Sequence, residues 1–322
     1  MKRYALQTKD HAILNVIANN ARLSYNQIAK ATHISKDSVK DRIKKMEENN
    51  FIKSYFALIN YNKLGIPLVN VYCKLKSIKY ASKSQIKPLL KNPHISSVTW
   101  LMGKFDLELQ IMARKKKDVK TVLKRSGFLS KILEYKISTS GKPEIYSTTT
   151  LRAKEIGVLT TEEDKLEILD KKDIELIDLL CINARERIID ISSKLAIKED
   201  EVRYRIKRLI KKGIILGFRA RTESLMGASR YLTLIKVKNS LNKSEISSLK
   251  SMDNIFYLKR CTGNRDYILR FRTDSNKELV NTFYSLRNIF SKNLVDFKVH
   301  TILEIMKFNP SPSLLLKSQA KV

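Results

Sequence analysis

Between positions 36 and 45 stand Lys36, Ser38, Lys40, Arg42, Lys44 and Lys45, a cluster of ammonium, guanidinium and hydroxyl donors. Such donors suit a polyanion. Lysine and arginine neutralise phosphates and release their counterions, while serine and lysine can also donate to base edges. A related cluster, Arg203, Tyr204, Arg205, Lys207 and Arg208, follows in the second half of the chain. Other chemistries are poorly served. The four histidines, His11, His33, His94 and His300, form no Ser-His-Asp, Cys-His or HExxH arrangement, and no glycine-rich phosphate loop is visible. Cys73, Cys181 and Cys261 lie far apart without a CxxC pair, which argues against a zinc site or a disulfide framework. The expectation is therefore no catalytic residue, no metal and no cofactor.

The basic clusters need helices to present them. Ile13, Leu14 and Ile17 make the apolar stripe of a first helix. Ser24-Tyr-Asn-Gln27 reads as a capping box opening a second, with Ser24 and Tyr25 at its start, and Ser35 as the N-cap of a third. Val39, Ile43 and Met46 turn one face of the third helix inward at i, i+4 and i+7. Only His33-Ile34 separates the second helix from the third, and so short a break predicts a helix-turn-helix. In that geometry the last helix enters the major groove N-terminus first. Lys36, Ser38 and Lys40 are then expected at bases or nearby phosphates, and Arg42, Lys44 and Lys45 on phosphates.

The same skeleton occurs twice. The segment starting at Asp10 aligns without gaps on the segment starting at Asp173, an offset of 163 that places Arg22 on Arg185, Val39 on Val202 and Arg42 on Arg205. The second copy opens its third helix with Lys198-Glu199-Asp200-Glu201, three carboxylates that suit a helix dipole but repel phosphate. It is expected to contact DNA weakly, at a shifted angle, or to serve as a partner surface. After each helical segment comes a Gly-x-x-Asp turn, Gly103/Asp106 and Gly263/Asp266, within a βαββαβ pattern. The first copy reads as strands at 69–75, 97–102, 107–113 and 132–138, with helices at 83–92 and 117–126. The fold class expected is α+β: two tandem copies of a helix-turn-helix followed by a ferredoxin-like sheet with helices on one face. The parts fall at residues 1–60, 61–150, 169–222 and 223–310, with a linker at 142–168.

At this point the chain resembles the Lrp/AsnC family of prokaryotic regulators. The residues that carry the resemblance are Asp10, Ala21-Arg22, Ile28-Ala29, Ser35, Val39, Arg42-Ile43 and Phe51-Ile52, with Leu169-Asp170, Asp173, Ala184-Arg185, Val202, Arg205-Ile206, Leu209, Gly213 and Ile214-Ile215 in the second half. The resemblance implies a winged DNA-binding head, transcription regulation, dimerisation through the sheets, and an effector such as an amino acid near Gly103, Asp106, Gly263 and Asp266. The chain departs from the family in carrying two copies, and in placing His33, Ala196 and Asn50 where glycines are usual. The doubling suggests one chain mimicking a dimer. Siroheme decarboxylases share this domain pair, so an enzyme acting on an acidic tetrapyrrole is the alternative, and an architectural protein with degenerate heads is a third.

The 322 residues carry 63 Lys and Arg against 32 Asp and Glu, a net charge of +31. The excess is +6 for residues 1–60, +11 for 61–168, +5 for 169–222 and +9 for 223–322, so the helical segments are not uniquely basic. Double-stranded DNA is the partner this charge favours. No apolar run approaches a membrane span, no leader is evident, and a cytoplasmic location is expected.

Overall fold

The computed structural model describes residues 4–113, 115–146, 166–222, 228–262 and 266–317. The first copy runs α1 (Thr8–Asn19), α2 (Tyr25–Thr32), α3 (Lys36–Glu48), β1 (Ile52–Ile59), β2 (Leu68–Leu75), α4 (Lys83–Lys91), β3 (Ile95–Met102), β4 (Leu107–Met112), α5 (Lys116–Arg125) and β5 (Ile132–Tyr146). The second runs α6 (Lys171–Ile182), α7 (Ile188–Leu195), α8 (Glu199–Lys211), β6 (Ile215–Thr222), β7 (Ser229–Val237), α9 (Lys243–Lys250), β8 (Ile255–Thr262), β9 (Asp266–Thr273), α10 (Asn276–Phe290), β10 (Leu294–Phe308) and a short α11 (Ser313–Lys317). The chain is not a string of four beads. One compact unit gathers Met1–Leu64, Thr148–Gly227 and Pro310–Val322, the other Gly65–Ser147 and Ala228–Asn309. Like parts of the two copies thus fold together.

In the first unit the two three-helix heads exchange strands. β1 and β6 pair antiparallel, and each packs against the first helix of the opposite head. The exchange obeys a local two-fold relation. The Ala21 amide donates to the Phe218 carbonyl at 3.1 Å, and the Ala184 amide to that of Tyr55 at 3.0 Å. Arg22 donates to the Ala184 carbonyl at 2.6 Å and lies over the Phe218 ring, while Arg185 donates to the Ala21 carbonyl at 2.7 Å and lies over the Tyr55 ring. Each arginine closes peptide groups that would otherwise be buried without partners.

Within each head one carboxylate ties the first helix to the third. Asp10, fully buried, meets Arg42 at 2.9 Å, also accepts from Tyr4, and closes the start of α1 by accepting the Gln7 amide. Asp173, at the equivalent place, meets Arg205 at 2.8 Å and also pairs with Arg208. Burial pushes the Asp10 carboxyl up, but the hydrogen bonds from Gln7, Arg42 and Tyr4 outweigh it and hold its pKa below the ordinary 3.8. The turns before the third helices place His33 and Ala196 in the left-handed region, at φ of 55° and 51°. Glycine is the residue that adopts this conformation freely, which explains its usual presence there.

The second unit is a closed eight-stranded barrel. Each copy contributes four strands, β3-β4-β2-β5 and β8-β9-β7-β10, and the edges join through β5–β8 and β10–β3. Alternate residues of each strand face the helices. Val69, Val71, Cys73, Leu107 and Leu109 pack with Ile86 of α4 and Val119 and Leu123 of α5. The other set faces into the barrel, where Tyr72, Leu101, Phe105, Leu232, Ile268 and Ile302 form an interior core from both copies. Glu108, 1% exposed, accepts from Asn70 and takes both its oxygens to Arg270, at 2.7 and 2.9 Å, which joins the two copies across the interior. Sheet pairing occurs within the chain. The open faces look into the barrel, and each sheet's edges are taken by the other copy's sheet.

Replacement of Asp10 by asparagine should lower the thermal midpoint at pH 7, by the equivalent of ~1–3 kcal/mol for a buried group left without its partner. A depressed carboxyl pKa stabilises above the unfolded value and ceases to do so as pH falls through the folded one. The gap between Asp10→Asn and the unaltered chain should therefore narrow below about pH 4. Separately, a Cβ at Gly103 would lie 2.8 Å from the His300 ring and 2.9 Å from the Val299 carbonyl. Gly103→Ala should destabilise the barrel by about 1–3 kcal/mol in a denaturant titration, because this backbone cannot retreat from β10.

Candidate nucleic-acid interface

The outer face of α3 is built by what its inner face buries. Val39, Ile43 and Met46 are buried, which leaves Lys36, Asp37, Lys40, Asp41, Lys44 and Lys45 exposed and Ser38 half-buried. The Ser35 side chain accepts the Ser38 amide at 3.4 Å and fixes where the helix begins. Lys36, Lys40 and Lys45 carry no ion pair among the described residues, and Lys44 reaches Glu48 only at 3.8 Å. Lys36 and Lys40, one turn apart on the same side of the helix, can meet phosphates or base edges without first breaking an internal ion pair, while Lys45 points elsewhere round the exposed surface.

Arg42 does not belong to that face. Its guanidinium turns inward to Asp10 and Gln7. There it braces α1 against α3, and a phosphate would have to draw it from Asp10. Tyr25 is also drawn away: the Arg185 guanidinium lies 5.2 Å over its ring, which makes it part of the junction between heads. Ser24 remains at an exposed helix N-terminus, capping α2 with Gln27. Such a terminus offers unsatisfied amides to a phosphate.

The second head has the same shape and a different surface. Arg203 is drawn to Glu199 at 2.9 Å, Arg205 to Asp170, Asp173 and Glu201, and Arg208 to Asp173. Glu199 stands where the first head has Lys36. Of the five residues expected to contact DNA in α8, Arg205 and Arg208 make internal ion pairs, Arg203 is paired with the acidic start of its own helix, and Lys207 stays exposed without an ion pair among the described residues. Tyr204, 62% exposed, sits beside Arg208 and presents a ring where the first head has Asp41. The acidic first turn is visible in the sequence; the capture of the arginines by it requires the fold.

The turn residues expected to hold an effector have structural duties. The Asp106 carboxylate accepts the Leu75 amide at 2.8 Å and the Lys74 ammonium at 3.0 Å, pinning the β3–β4 turn to β2. Gly103 allows the close approach of Val299 and His300. Both residues thus hold the β3–β4 turn in place. Gly263 lies outside the described residues. Asp266 begins β9, in register with Lys236 of β7.

A family model described as winged helix-turn-helix DNA-binding matches residues 6–53. The HTH-type transcriptional regulator Ptr1 of Methanocaldococcus jannaschii is 35% identical over 133 residues, which span 38% of this chain and 86% of that protein. The HTH-type transcriptional regulator FL11 of Pyrococcus horikoshii is 25% identical over 126 residues, 39% of this chain and 82% of that one. Among solved structures, the siroheme decarboxylase NirDL superposes with a TM-score of 0.62 at 11% identity, over 98% of this chain and all of the other. That likeness is one of fold. No helix among the described residues is long and apolar enough to cross a membrane. With 35% identity over 86% of the length of Ptr1, and a winged head matched at residues 6–53, the chain belongs to the Lrp/AsnC-type family of helix-turn-helix transcriptional regulators.

Proposed function

We propose that this DNA-binding regulator reads a specific operator chiefly through its first head, and that the single chain acts as a dimer of unequal halves. The observation that carries the proposal is the contrast between α3 and α8. Lys36, Lys40 and Lys45 are exposed without ion pairs among the described residues, whereas Arg203, Arg205 and Arg208 are held by carboxylates of their own head. Phosphate must compete with those carboxylates before it can reach the second head. The exposed Lys207 leaves that head a weak grip on the backbone. A small effector such as an amino acid and a cytoplasmic site of action complete the reading; the first is tested by whether amino acids shift the operator affinity.

A second reading has one observation in its favour, the match along the whole chain to a siroheme decarboxylase fold. An iron tetrapyrrole added to the protein separates the readings. A saturable Soret shift at stoichiometric ligand would favour an enzyme; the regulator reading expects none.

Binding to duplex DNA should weaken steeply with salt, log affinity falling with log salt by roughly 0.9 per phosphate neutralised. Lys36→Ala with Lys40→Ala should reduce operator affinity by ~1–3 kcal/mol for each base-reading side chain removed. Lys198→Ala with Arg203→Ala should change it less. Equal weakening in mobility-shift titrations of the two variants would place the reading head wrongly.

A further inference from the structure

The barrel domain of the first copy carries a surface that the heads do not account for. Lys83, Lys87 and Lys91 recur every fourth residue along α4, on the side opposite the buried Ile86 and Leu89. Lys117, Lys120 and Lys124 recur along α5, opposite the buried Val119 and Leu123. All six are exposed. Lys83 reaches Glu304 only at 3.8 Å, and the other five have no side-chain partner among the described residues. The two helices share one layer on the sheet, and Lys131, just after α5, donates to the Gln85 side chain of α4 at 2.8 Å. The stripes therefore lie side by side on one face.

A lysine-rich composition does not explain them, because the chain contains its own control. The equivalent helices α9 and α10 cover the same kind of sheet in the same protein. α4 and α5 hold eight Lys or Arg against one Asp; α9 and α10 hold four against two Glu. Like charges at i and i+4 destabilise a helix, so the α4 stripe works against its own element and gains nothing from within the chain. A stripe of three lysines eight residues apart is roughly 12 Å long. Along one DNA strand, with a phosphate every ~3.4 Å of axis, that length faces three or four phosphates.

We propose that the α4–α5 face is a second, sequence-independent docking surface for the backbone of duplex DNA. The proposal rests on the DNA-binding reading given above. It differs in asking for phosphate contacts far in sequence from either helix-turn-helix, on one copy of the repeat and not the other. Lysine fits this role, since its compact charge on a flexible stem tracks a backbone without reading bases.

The test uses the full chain with Lys87→Gln, Lys91→Gln, Lys120→Gln and Lys124→Gln together. These residues are exposed, and circular dichroism and the thermal midpoint should be unchanged or slightly raised. On a long random-sequence duplex, the slope of log affinity against log salt should fall by roughly 1.8 to 3.6, the removal of two to four phosphate contacts at ~0.9 each. The matched variant, Lys243→Gln, Lys250→Gln, Lys277→Gln and Arg287→Gln, should lower it by less than roughly 0.9. An unchanged slope in the first variant, or equal changes in both, overturns the proposal. So does loss of binding to phosphatidylserine vesicles in the first variant while its DNA slope stays constant, which would assign the face to a membrane. If the unaltered chain binds no duplex at low salt, the DNA reading itself fails. If it binds, and Lys36→Ala with Lys40→Ala abolishes operator preference while the four-lysine variant keeps its slope, only the second surface fails.

Discussion

A four-stranded βαββαβ sheet has helices for one face and nothing for the other, and its two outer strands present rows of unpaired amides and carbonyls. Such edges bind whatever strand they meet. In this chain β5 takes β8 and β10 takes β3, so each copy closes the edges of the other and the two uncovered faces become one interior. The rest of the barrel depends on that closure. Glu108 is tolerable at 1% exposure only because Arg270 arrives from the other copy, and Tyr72, Phe105 and Leu232 are a core only because both sheets contribute to it. The heads follow the same rule by another route. β1 and β6 have no other strand to pair with among the described residues, and the carbonyls of Ala21 and Ala184 are met by arginines from across the junction.

With the framework held in common, the surfaces are free to differ. The Asp–Arg brace between first and third helix is kept in both heads, as are the apolar positions under each recognition helix. Outside that frame the copies have separated. The first head shows unpaired lysines and the second turns its arginines onto its own carboxylates. The lysine stripes of α4 and α5 have no counterpart on α9 and α10. Charge asymmetry is thus laid over an architectural near-symmetry.

Much of this is legible in the residues. Periodicity locates α1 to α3 through Ile13, Val39 and Ile43, and the caps Ser24 and Ser35 mark the helix starts. The spacing of Val69, Val71 and Cys73 at every second residue marks β2 and the face it turns to the helices. What is not legible concerns partners distant in sequence. Arg42 looks like its neighbours Lys40 and Lys44 until Asp10, thirty-two residues earlier, is seen beside it. The part Asp106 plays in pinning its turn is hidden in the sequence, because the Leu75 amide it caps belongs to another strand. The wings β1 and β6 escape a reading of local pattern, since each pairs only with its counterpart in the other copy. Residues 263–265, which include one expected effector position, lie outside the described residues.

The exchange of β1 and β6 between heads on one polypeptide has a consequence for abundance. Two separate subunits find each other by collision, so their pairing weakens as the cell makes fewer of them. Here the partner strand is always attached, and its local concentration is set by chain length rather than by expression. A handful of molecules per cell would remain fully assembled. The pairing of the two heads would then add no concentration dependence of its own to the regulator's response to its copy number.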